Sequence, residues 1–369
     1  MKIKFPLLFS FCLISSALLA QTKEKSWMLG PFVRPTNAQP VLQKDEASVF
    51  TDPITHTIAH WESMATFNPA AIVKDDSIMV LYRAEEKLGE KEIGGHRSRI
   101  GMATSIDGFH FSKRPSPVYY PNEDSQKHNE WPGGTEDPRI VQTEDGLYVL
   151  TYTQWNREVP KLAVATSKDL IHWEKHGPAF KNHRNGLYLD RETKSGAIVT
   201  ELKNGKLVAA KIQGKYWMYY GVPHIWLASS TDLVHWEPLE THEDKLAPVL
   251  SPRPGYFDSW LVEAGPPPII TEKGIVVLYN AGNSQNVGVK DLGNRVYTGG
   301  QALFDANEPW KMLDRTDEPF IKPELPFEKS GQYVDGTTFL EGLVYFNGTW
   351  FLYYGTADSM VGVVSAKVE

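Results

Sequence analysis

The chain has 369 residues, 41% of them hydrophobic and 22% charged, with a formal net charge of −7. This composition is that of a globular protein and excludes the disordered and collagen-like classes. The negative charge argues against nucleic acid or an anionic membrane surface as a partner, so we expect neither.

The first twenty residues differ from the rest. Lys2 and Lys4 precede the apolar run FPLLFSFCLISSALLA, and Ala17 and Ala20 offer small residues for cleavage. We therefore predict a signal peptide at 1–20, too short for a permanent anchor, and a mature protein that is periplasmic or extracellular. A buried N-terminal helix is the alternative. No later segment is apolar enough to predict a membrane span.

Cleavage after residue 20 would also change the chemistry of the chain. The only cysteine, Cys12, lies in the predicted signal, so we expect no disulfide and no thiol chemistry in the mature protein. Two lysines and no acids would be removed, which takes the net charge from −7 to −9.

Residues 21–65 contain Pro31, Pro35, Pro40 and Pro53 and are predicted to form a lead-in arm rather than a domain. After them, short alternating runs recur, each closed by Gly, Asn, Asp or another turn-forming residue. These runs predict strands in hairpins. In chain order they read SIMVLYR, GLYVLTYT, KYWMYYG, GIVVLYN and TWFLYYG.

The segments that follow these runs also resemble one another. ATSIDGFHF (103–111), ATSKDLIHW (165–173) and ASSTDLVHW (228–236) share an Asp turn and a His-aromatic pair, and ALFDANEPW (302–310) is a looser copy. Because His110, His172 and His235 recur at one position, we predict that they hydrogen-bond a turn and serve structure rather than catalysis.

Five such units start near Asn68, Asp137, Gly196, Glu263 and Asp335. Repeated all-β units without intervening helices are typical of propellers, in which each sheet buries its faces against its neighbours. We therefore predict an all-β fold, a single five-bladed β-propeller over residues 66–369. A two-sheet sandwich is the alternative, and the fivefold self-similarity argues against it.

Carboxylates stand at four of the five predicted unit starts. The four are Asp137, Glu201, Glu263 and Asp335, with Glu341 just beyond the last. Acids that converge on one channel raise one another's pKa, and such a set suits hydrolysis of a glycosidic bond. Calcium binding and solvated turn residues are the alternatives. No His or Cys spacing matches a zinc or iron site, so we predict no metal and no cofactor.

Several segments resemble glycoside hydrolase family 130 in the same order across almost the whole mature chain. They are FNPAA (67–71), LYRAE (81–85), SRIGMATS (98–105), GGTEDPRI (133–140), AGPPPI (264–269) and YYGTADSMVGVVSAK (353–367), of which GGTEDPRI is the most specific. The resemblance implies a five-bladed, inverting enzyme that acts on β-mannosides.

The resemblance also implies roles for matching residues. Asp137 matches the general acid, which would pass its proton through a hydroxyl of the bound mannose. A second set is expected to bind the terminal sugar: Asn68, Arg83, Arg99, Arg139, Asp258 and Asp358, to which we add Asp335 from its position at a unit start. For Arg83 and Arg139, salt bridges between blades are the alternative.

Members of the family use either phosphate or water as the nucleophile. By resemblance, phosphorylases carry a lysine where this chain has Leu261 and a basic pair where it has Tyr220 and Gly221, whereas Glu263 is an added acid. Fewer cations and one more anion disfavour phosphate. Glu263 is therefore the first candidate for the general base and Glu201 the second. Hydrolases of the family often have an acid where this chain has Gly221-Val222.

These observations predict a secreted, exo-acting β-mannosidase that removes terminal mannose, with a β-1,2 linkage preferred, from a mannose-containing oligosaccharide or glycan. A β-mannoside phosphorylase and a non-catalytic sugar-binding propeller remain as alternatives. The sequence leaves the oligomeric state open.

Overall fold

The structure, a computed structural model, describes residues 25–89, 94–189, 191–243, 245–333 and 335–368. It is nearly all β, which confirms the predicted all-β class. The predicted signal peptide lies outside the described residues. Within them, no helix is long and apolar enough to cross a membrane.

The strands form successive antiparallel meanders, beginning after a short hairpin of β1 (Phe50–Thr51) and β2 (Ile58–Ala59). The first meander consists of β3 (Ala65–Lys74), β4 (Ser77–Glu86), β5 (Arg97–Ser105) and β6 (Ser112–Lys113). The second follows helix α1 (Lys127–Glu130) and consists of β7 (Gly134–Gln142), β8 (Tyr148–Trp155), β9 (Lys161–Ser167) and β10 (Trp173–Pro178).

The third meander is more broken and follows a 3-10 turn at His183–Asn185. Its strands are β11 (Ala197–Ile198), β12 (Thr200–Lys203), β13 (Lys206–Ala209), β14 (Lys211–Ile212), β15 (Lys215–Tyr220), β16 (Trp226–Ser230) and β17 (Glu237–Pro238). Strands β11, β15, β16 and β17 pair in that order, whereas the β12–β13 hairpin joins the strands of its neighbours β7 and β19.

The last two meanders complete the chain. The fourth consists of β18 (Leu261–Ala264), β19 (Ile269–Thr271), β20 (Gly274–Gly282), β21 (Tyr297–Phe304) and β22 (Met312–Arg315), with a 3-10 turn at Lys290–Leu292. The fifth follows a 3-10 turn at Pro326–Glu328 and consists of β23 (Thr338–Phe346), β24 (Thr349–Thr356) and β25 (Met360–Lys367).

The hydrophobic core of the described residues is divided into five clusters, each between two meanders. Leu81 of the first meander packs with Leu150 of the second, and Val164 of the second with Met218 of the third. Further clusters join the third to the fourth and the fourth to the fifth. A fifth cluster joins Tyr353 of the last meander to β4 of the first. The meanders are therefore packed in a closed cycle.

The three predicted histidine turns are confirmed as structural. In each, an Asp accepts hydrogen bonds from backbone amides and from the Nδ1 side of the histidine three residues later. The Asp Oδ2 to His Nδ1 distances are 2.7 Å for Asp107–His110, 2.7 Å for Asp169–His172 and 2.8 Å for Asp232–His235.

The N-terminal arm lies across the last two meanders. Val33 and Leu42 form isolated bridges to β25, at Ser365 and Val361. Arg34 holds the arm by two hydrogen bonds to the fully buried Glu328 carboxylate, at 2.9 and 3.0 Å. The arm thus adds outer pairing to a meander that has three strands of its own.

We predict that Arg34→Ala lowers the free energy of unfolding by about 2–3 kcal/mol, because Glu328 would remain buried without its cation. Chemical denaturation of the mature protein measures this change. Lys44→Ala is the control, because Lys44 forms an exposed pair with Glu46, and we expect a change within about 0.5 kcal/mol. Equal losses in the two variants would contradict the role assigned to Arg34.

Candidate active site

The inner strand of three meanders is interrupted by a β-bulge at the same level. Asn68 is the extra residue in β3, Asp137 and Pro138 of β7 together oppose the single residue Tyr152 of β8, and Glu341 is the extra residue in β23. Asn68 and Asp137 have left-handed backbones, with φ of 48° and 47°, which is uncommon for residues other than glycine. A bulge re-aims a side chain, and this is why the acidic pair Glu136-Asp137 occurs in a bent strand.

A cavity of about 400 Å³ opens at this level. The described residues contribute five acids to its lining, namely Glu136, Asp137, Glu192, Glu263 and Asp358. They also contribute the cations Arg83, Lys194 and Arg295, and the aromatic residues Phe67, Trp155, Tyr297, Tyr333 and Phe339. The structure thus brings Asp137 and Glu263 to a single cavity, together with Asn68, Arg83 and Asp358.

Asp137 is held by two donors from the first meander. Its Oδ1 accepts hydrogen bonds from Asn68 Nδ2 at 2.9 Å and from Arg83 Nη1 at 3.1 Å. Burial alone would raise the pKa of Asp137, but the positive charges of Arg83 and Lys194 outweigh burial and lower it. The Asp137 carboxyl is therefore fixed in place and favoured as an anion.

Arg83 also connects the other acids of this wall. Its Nη2 lies 2.6 Å from Glu85 and 2.9 Å from Glu136, and its Nε donates to Ser98 Oγ at 3.1 Å. Burial raises the pKa of Glu136 against the opposing effect of Arg83, and the neighbouring charge of Asp137 raises it further. Arg83 therefore both lines the cavity and forms the salt bridges that we considered as the alternative.

Glu263 lies in β18 and is almost completely buried. Its Oε1 accepts a short hydrogen bond from Ser195 Oγ and lies 3.3 Å from Lys194 Nζ. Burial would lower the pKa of Lys194, but the carboxylates of Glu263 and Asp137 outweigh burial and raise it. Ser195 thus orients the Glu263 carboxylate, and Lys194 compensates its negative charge.

Lys194 and Ser195 were missed by sequence reasoning. They belong to the segment TKSG directly before β11, where a Gly-Thr-Glu-Asp segment stands in the second meander. Ser195 has a left-handed φ of 58° and is buried. The position of Lys194 in the sequence could have identified it, because a lysine at the start of an inner strand faces the same channel as the acids.

Asp358 lies in the hairpin between β24 and β25, with a left-handed φ of 49°. Its surface is only partly covered, yet it lies deep among surrounding protein atoms on the cavity wall. This burial, opposed by Arg83 and reinforced by Glu85, raises the pKa of Asp358 to about 7.

Five other candidates are not part of the cavity lining. Glu201 lies in β12 with a partly exposed side chain and pairs with Lys203 at 2.6 Å. A general base must reach the sugar, so this placement gives no support to Glu201 in that role. Asp335 is exposed on the segment before β23, where its charge acts on Tyr333 at the cavity mouth.

The other three are buried in ion pairs. Arg99 contacts Asp52 at 2.5 Å and Glu86 at 3.1 Å. Asp258 contacts Arg253 at 3.0 Å and Arg315 at 2.5 Å. Arg139 contacts Glu341 at 2.9 Å. None of these three is among the described residues that line the cavity, and their charged groups contact protein partners.

Comparison with known proteins gives the family. The model of glycoside hydrolase family 130, described as beta-1,4-mannooligosaccharide phosphorylase, matches residues 37–369. The chain belongs to glycoside hydrolase family 130. A 1,2-beta-oligomannan phosphorylase from Thermoanaerobacter sp. (strain X514) is 35% identical over 313 residues, which cover 84% of this chain and 92% of the relative.

Two solved structures are more similar in sequence. A glycosyl hydrolase from Bacteroides ovatus is 54% identical, with a TM-score of 0.91 over 93% of this chain and 95% of the other. A second structure, 52% identical, has a TM-score of 0.91 over 94% of this chain and 98% of the other. It comes from a report that the GH130 family of mannoside phosphorylases contains glycoside hydrolases that target β-1,2 mannosidic linkages in Candida mannan.

The raised pKa of Asp358 predicts a pH dependence of stability. Because the folded pKa of about 7 exceeds the ordinary value of 3.8, the folded state binds more protons between these values, and the contribution of Asp358 to stability falls as the pH rises through that window. We expect Asp358→Asn to gain stability relative to wild type between pH 4.5 and pH 7.5. Denaturation of both proteins at the two pH values measures this gain, and a pH-independent difference would contradict it.

Proposed function

We propose that this family 130 protein is a secreted, inverting, exo-acting β-mannosidase that hydrolyses terminal β-1,2-linked mannose from oligosaccharides or glycans. The observation that carries the proposal is that Asp137 and Glu263, from different meanders, line one cavity. Export rests on the signal-like sequence of residues 1–20.

The two carboxyl groups would divide the chemistry. Asp137 would protonate the glycosidic oxygen through a mannose hydroxyl, and Glu263 would remove a proton from the attacking water. Ser195 and Lys194 fix Glu263 for this task, because both contact its Oε1 atom. An inverting reaction requires room for the water between the two groups, about 6.5–9.5 Å in enzymes of this type.

Water is favoured over phosphate by the charge of the cavity. Leu261 and Tyr220 are buried apolar residues where the resemblance implies cations in phosphorylases. Among the described lining residues five acids outnumber three cations, and the Glu263 carboxylate offsets the charge of Lys194, which disfavours a phosphate dianion. The similar structure associated with β-1,2-mannoside hydrolases also supports hydrolysis and the linkage.

Phosphorolysis is the second candidate. Lys194 and Arg295 line the cavity, and cationic side chains are the usual ligands of phosphate. The curated relatives at 30–35% identity, covering about three quarters or more of this chain, are phosphorylases by name. A sugar-binding protein without catalysis is disfavoured by the arrangement of Asp137 and Glu263.

Exo action and the propeller architecture belong to the same proposal. Arg139 of β7 and Glu341 of β23 form a buried ion pair between two inner strands, and a closed centre of this kind supports a blind-ended pocket for one terminal sugar. The cyclic packing of the five meanders supports five blades around this pocket.

The test of the reaction uses residues 21–369 with β-1,2- and β-1,4-mannobiose, each with and without phosphate. We expect mannose from the β-1,2 substrate at a rate that does not depend on phosphate, with the α-anomer formed first in the NMR spectrum. Mannose 1-phosphate as the main product would contradict hydrolysis. Sugar binding without any turnover would support the non-catalytic alternative.

The test of the residues compares three variants. We expect Asp137→Asn and Glu263→Gln each to lower kcat by about 10²–10⁴-fold, because each removes a proton-transfer group. Glu201→Gln is the matched control, and its kcat should stay within about twofold, because Glu201 pairs with Lys203 away from the cavity. Near-wild-type hydrolysis by Glu263→Gln, together with a loss in Glu201→Gln, would reverse the assignment of the base.

A further inference from the structure

Arg139 lies two residues beyond Asp137 in β7 and is almost fully buried. Its guanidinium group donates to three backbone carbonyl oxygens. Nη1 contacts the Asp137 oxygen at 3.2 Å, Nη2 the Ala264 oxygen at 2.8 Å, and Nε the Gly265 oxygen at 3.0 Å. One side chain therefore contacts the backbone of both walls of the cavity.

Two of these carbonyls belong to residues beside the reacting carboxyl groups. Asp137 is the proposed acid itself, and Ala264 follows directly after the proposed base, Glu263. Strands β7 and β18 lie in the second and fourth meanders and do not pair with each other. The guanidinium group of Arg139 thus links two strands that have no direct backbone pairing with each other.

The backbone at this level lacks its usual donors. Pro138 follows Asp137, and Pro266, Pro267 and Pro268 follow Gly265. A proline has no backbone N–H group, and a buried carbonyl without a donor costs free energy. Arg139 supplies the missing donors from a planar group of fixed shape, which Lys could not reproduce.

Glu341 completes the arrangement from the fifth meander. It is fully buried in the bulge of β23, with Oε1 2.9 Å from Arg139 Nη1. Beyond this ion pair, neither carboxylate oxygen has a hydrogen-bond partner among the described residues. A buried ion pair with so few additional hydrogen bonds is a poor source of stability, which favours a role in placing Arg139.

We propose that Arg139 and Glu341 are positioning residues that set the separation of the Asp137 and Glu263 carboxyl groups. The inference rests on the proposed function, because it takes these two carboxyl groups as acid and base. In an inverting site the separation must admit one water molecule, and a misplacement of about 1 Å can cost about 10²-fold in rate.

Arg139→Lys and Glu341→Gln test this role, with Arg315→Lys as the matched control. Arg315 is also buried, donates to the Ser251 carbonyl at 2.8 Å and pairs with Asp258 at 2.5 Å, away from the cavity. We expect Arg139→Lys to lower kcat by about 10–100-fold with KM within about threefold. Arg315→Lys should lose similar thermal stability and keep kcat within about twofold.

A double-mutant cycle separates positioning from a general loss of structure. With an aryl β-mannoside, whose leaving group needs little protonation, the residual rate of Asp137→Asn can be followed. We expect the effect of Arg139→Lys in the Asp137→Asn background to be clearly smaller than in wild type, because Arg139 acts partly through Asp137. The proposal would be overturned if Arg139→Lys lowered the rate by the same factor in both backgrounds. It would also be overturned if Arg315→Lys lowered kcat as much as Arg139→Lys does.

Crystal structures give a readout that does not need activity. We expect the Asp137–Glu263 carboxyl separation to change by about 0.5 Å or more in Arg139→Lys or, should that variant not fold, in Glu341→Gln. An unchanged separation would overturn the proposal. If wild type forms mannose 1-phosphate instead, hydrolysis fails as the function, while the separation and the kcat comparison still decide the role of Arg139.

Discussion

The site depends on buried carboxylates that are neutralised by a few buried cations. Arg83 contacts Glu85, Glu136 and Asp137, Lys194 contacts Glu263, and Arg139 contacts Glu341. An ionised carboxyl that is buried alone would take up a proton rather than remain charged. Arg83 and Lys194 keep Asp137 ionised, whereas burial outweighs Arg83 at Glu136 and Arg139 at Glu341 and raises the pKa of both acids.

At the centre of the fold, polar side chains as well as paired strands are needed to satisfy the backbone hydrogen-bonding groups. Apolar clusters join neighbouring meanders at their flanks, but the inner strands are interrupted by bulges and prolines at the level of the cavity. Bulges leave backbone groups without ladder partners, and polar side chains must satisfy them. Asn280 does so for Leu340, and Arg139 does so for Ala264 and Gly265. The bulges and prolines that orient the functional side chains therefore also require a polar network that stabilises the inner strands.

Much of the fold was predictable because it repeats. The alternating pattern and the turn residues predicted the starts of the inner strands to within a few residues. The recurrence of the Asp-His pair predicted the hydrogen bond that the two residues form. Site residues on those starts, Asn68, Asp137 and Glu263, were equally accessible to sequence reasoning. The ion pairs of Arg99 and Asp258 were not predictable from the sequence, because a charged residue near a channel can face a protein partner as readily as a substrate. Which of the two it faces depends on contacts between segments far apart in sequence.

The low pKa of Asp137 needs an explanation in a residue proposed to donate a proton. Arg83 and Lys194 favour the Asp137 anion, while burial and the charge of Asp137 raise the pKa of the adjacent Glu136. A bound sugar would replace water at Asp137 with less polar surface, and desolvation favours the protonated form. Once protonated from solvent, Asp137 would donate to the oxygen of a mannose hydroxyl, while that hydroxyl passes its own proton to the glycosidic oxygen. The acid would then form only with substrate in place, which keeps the carboxyl available for binding the sugar hydroxyl before it acts on the glycosidic oxygen.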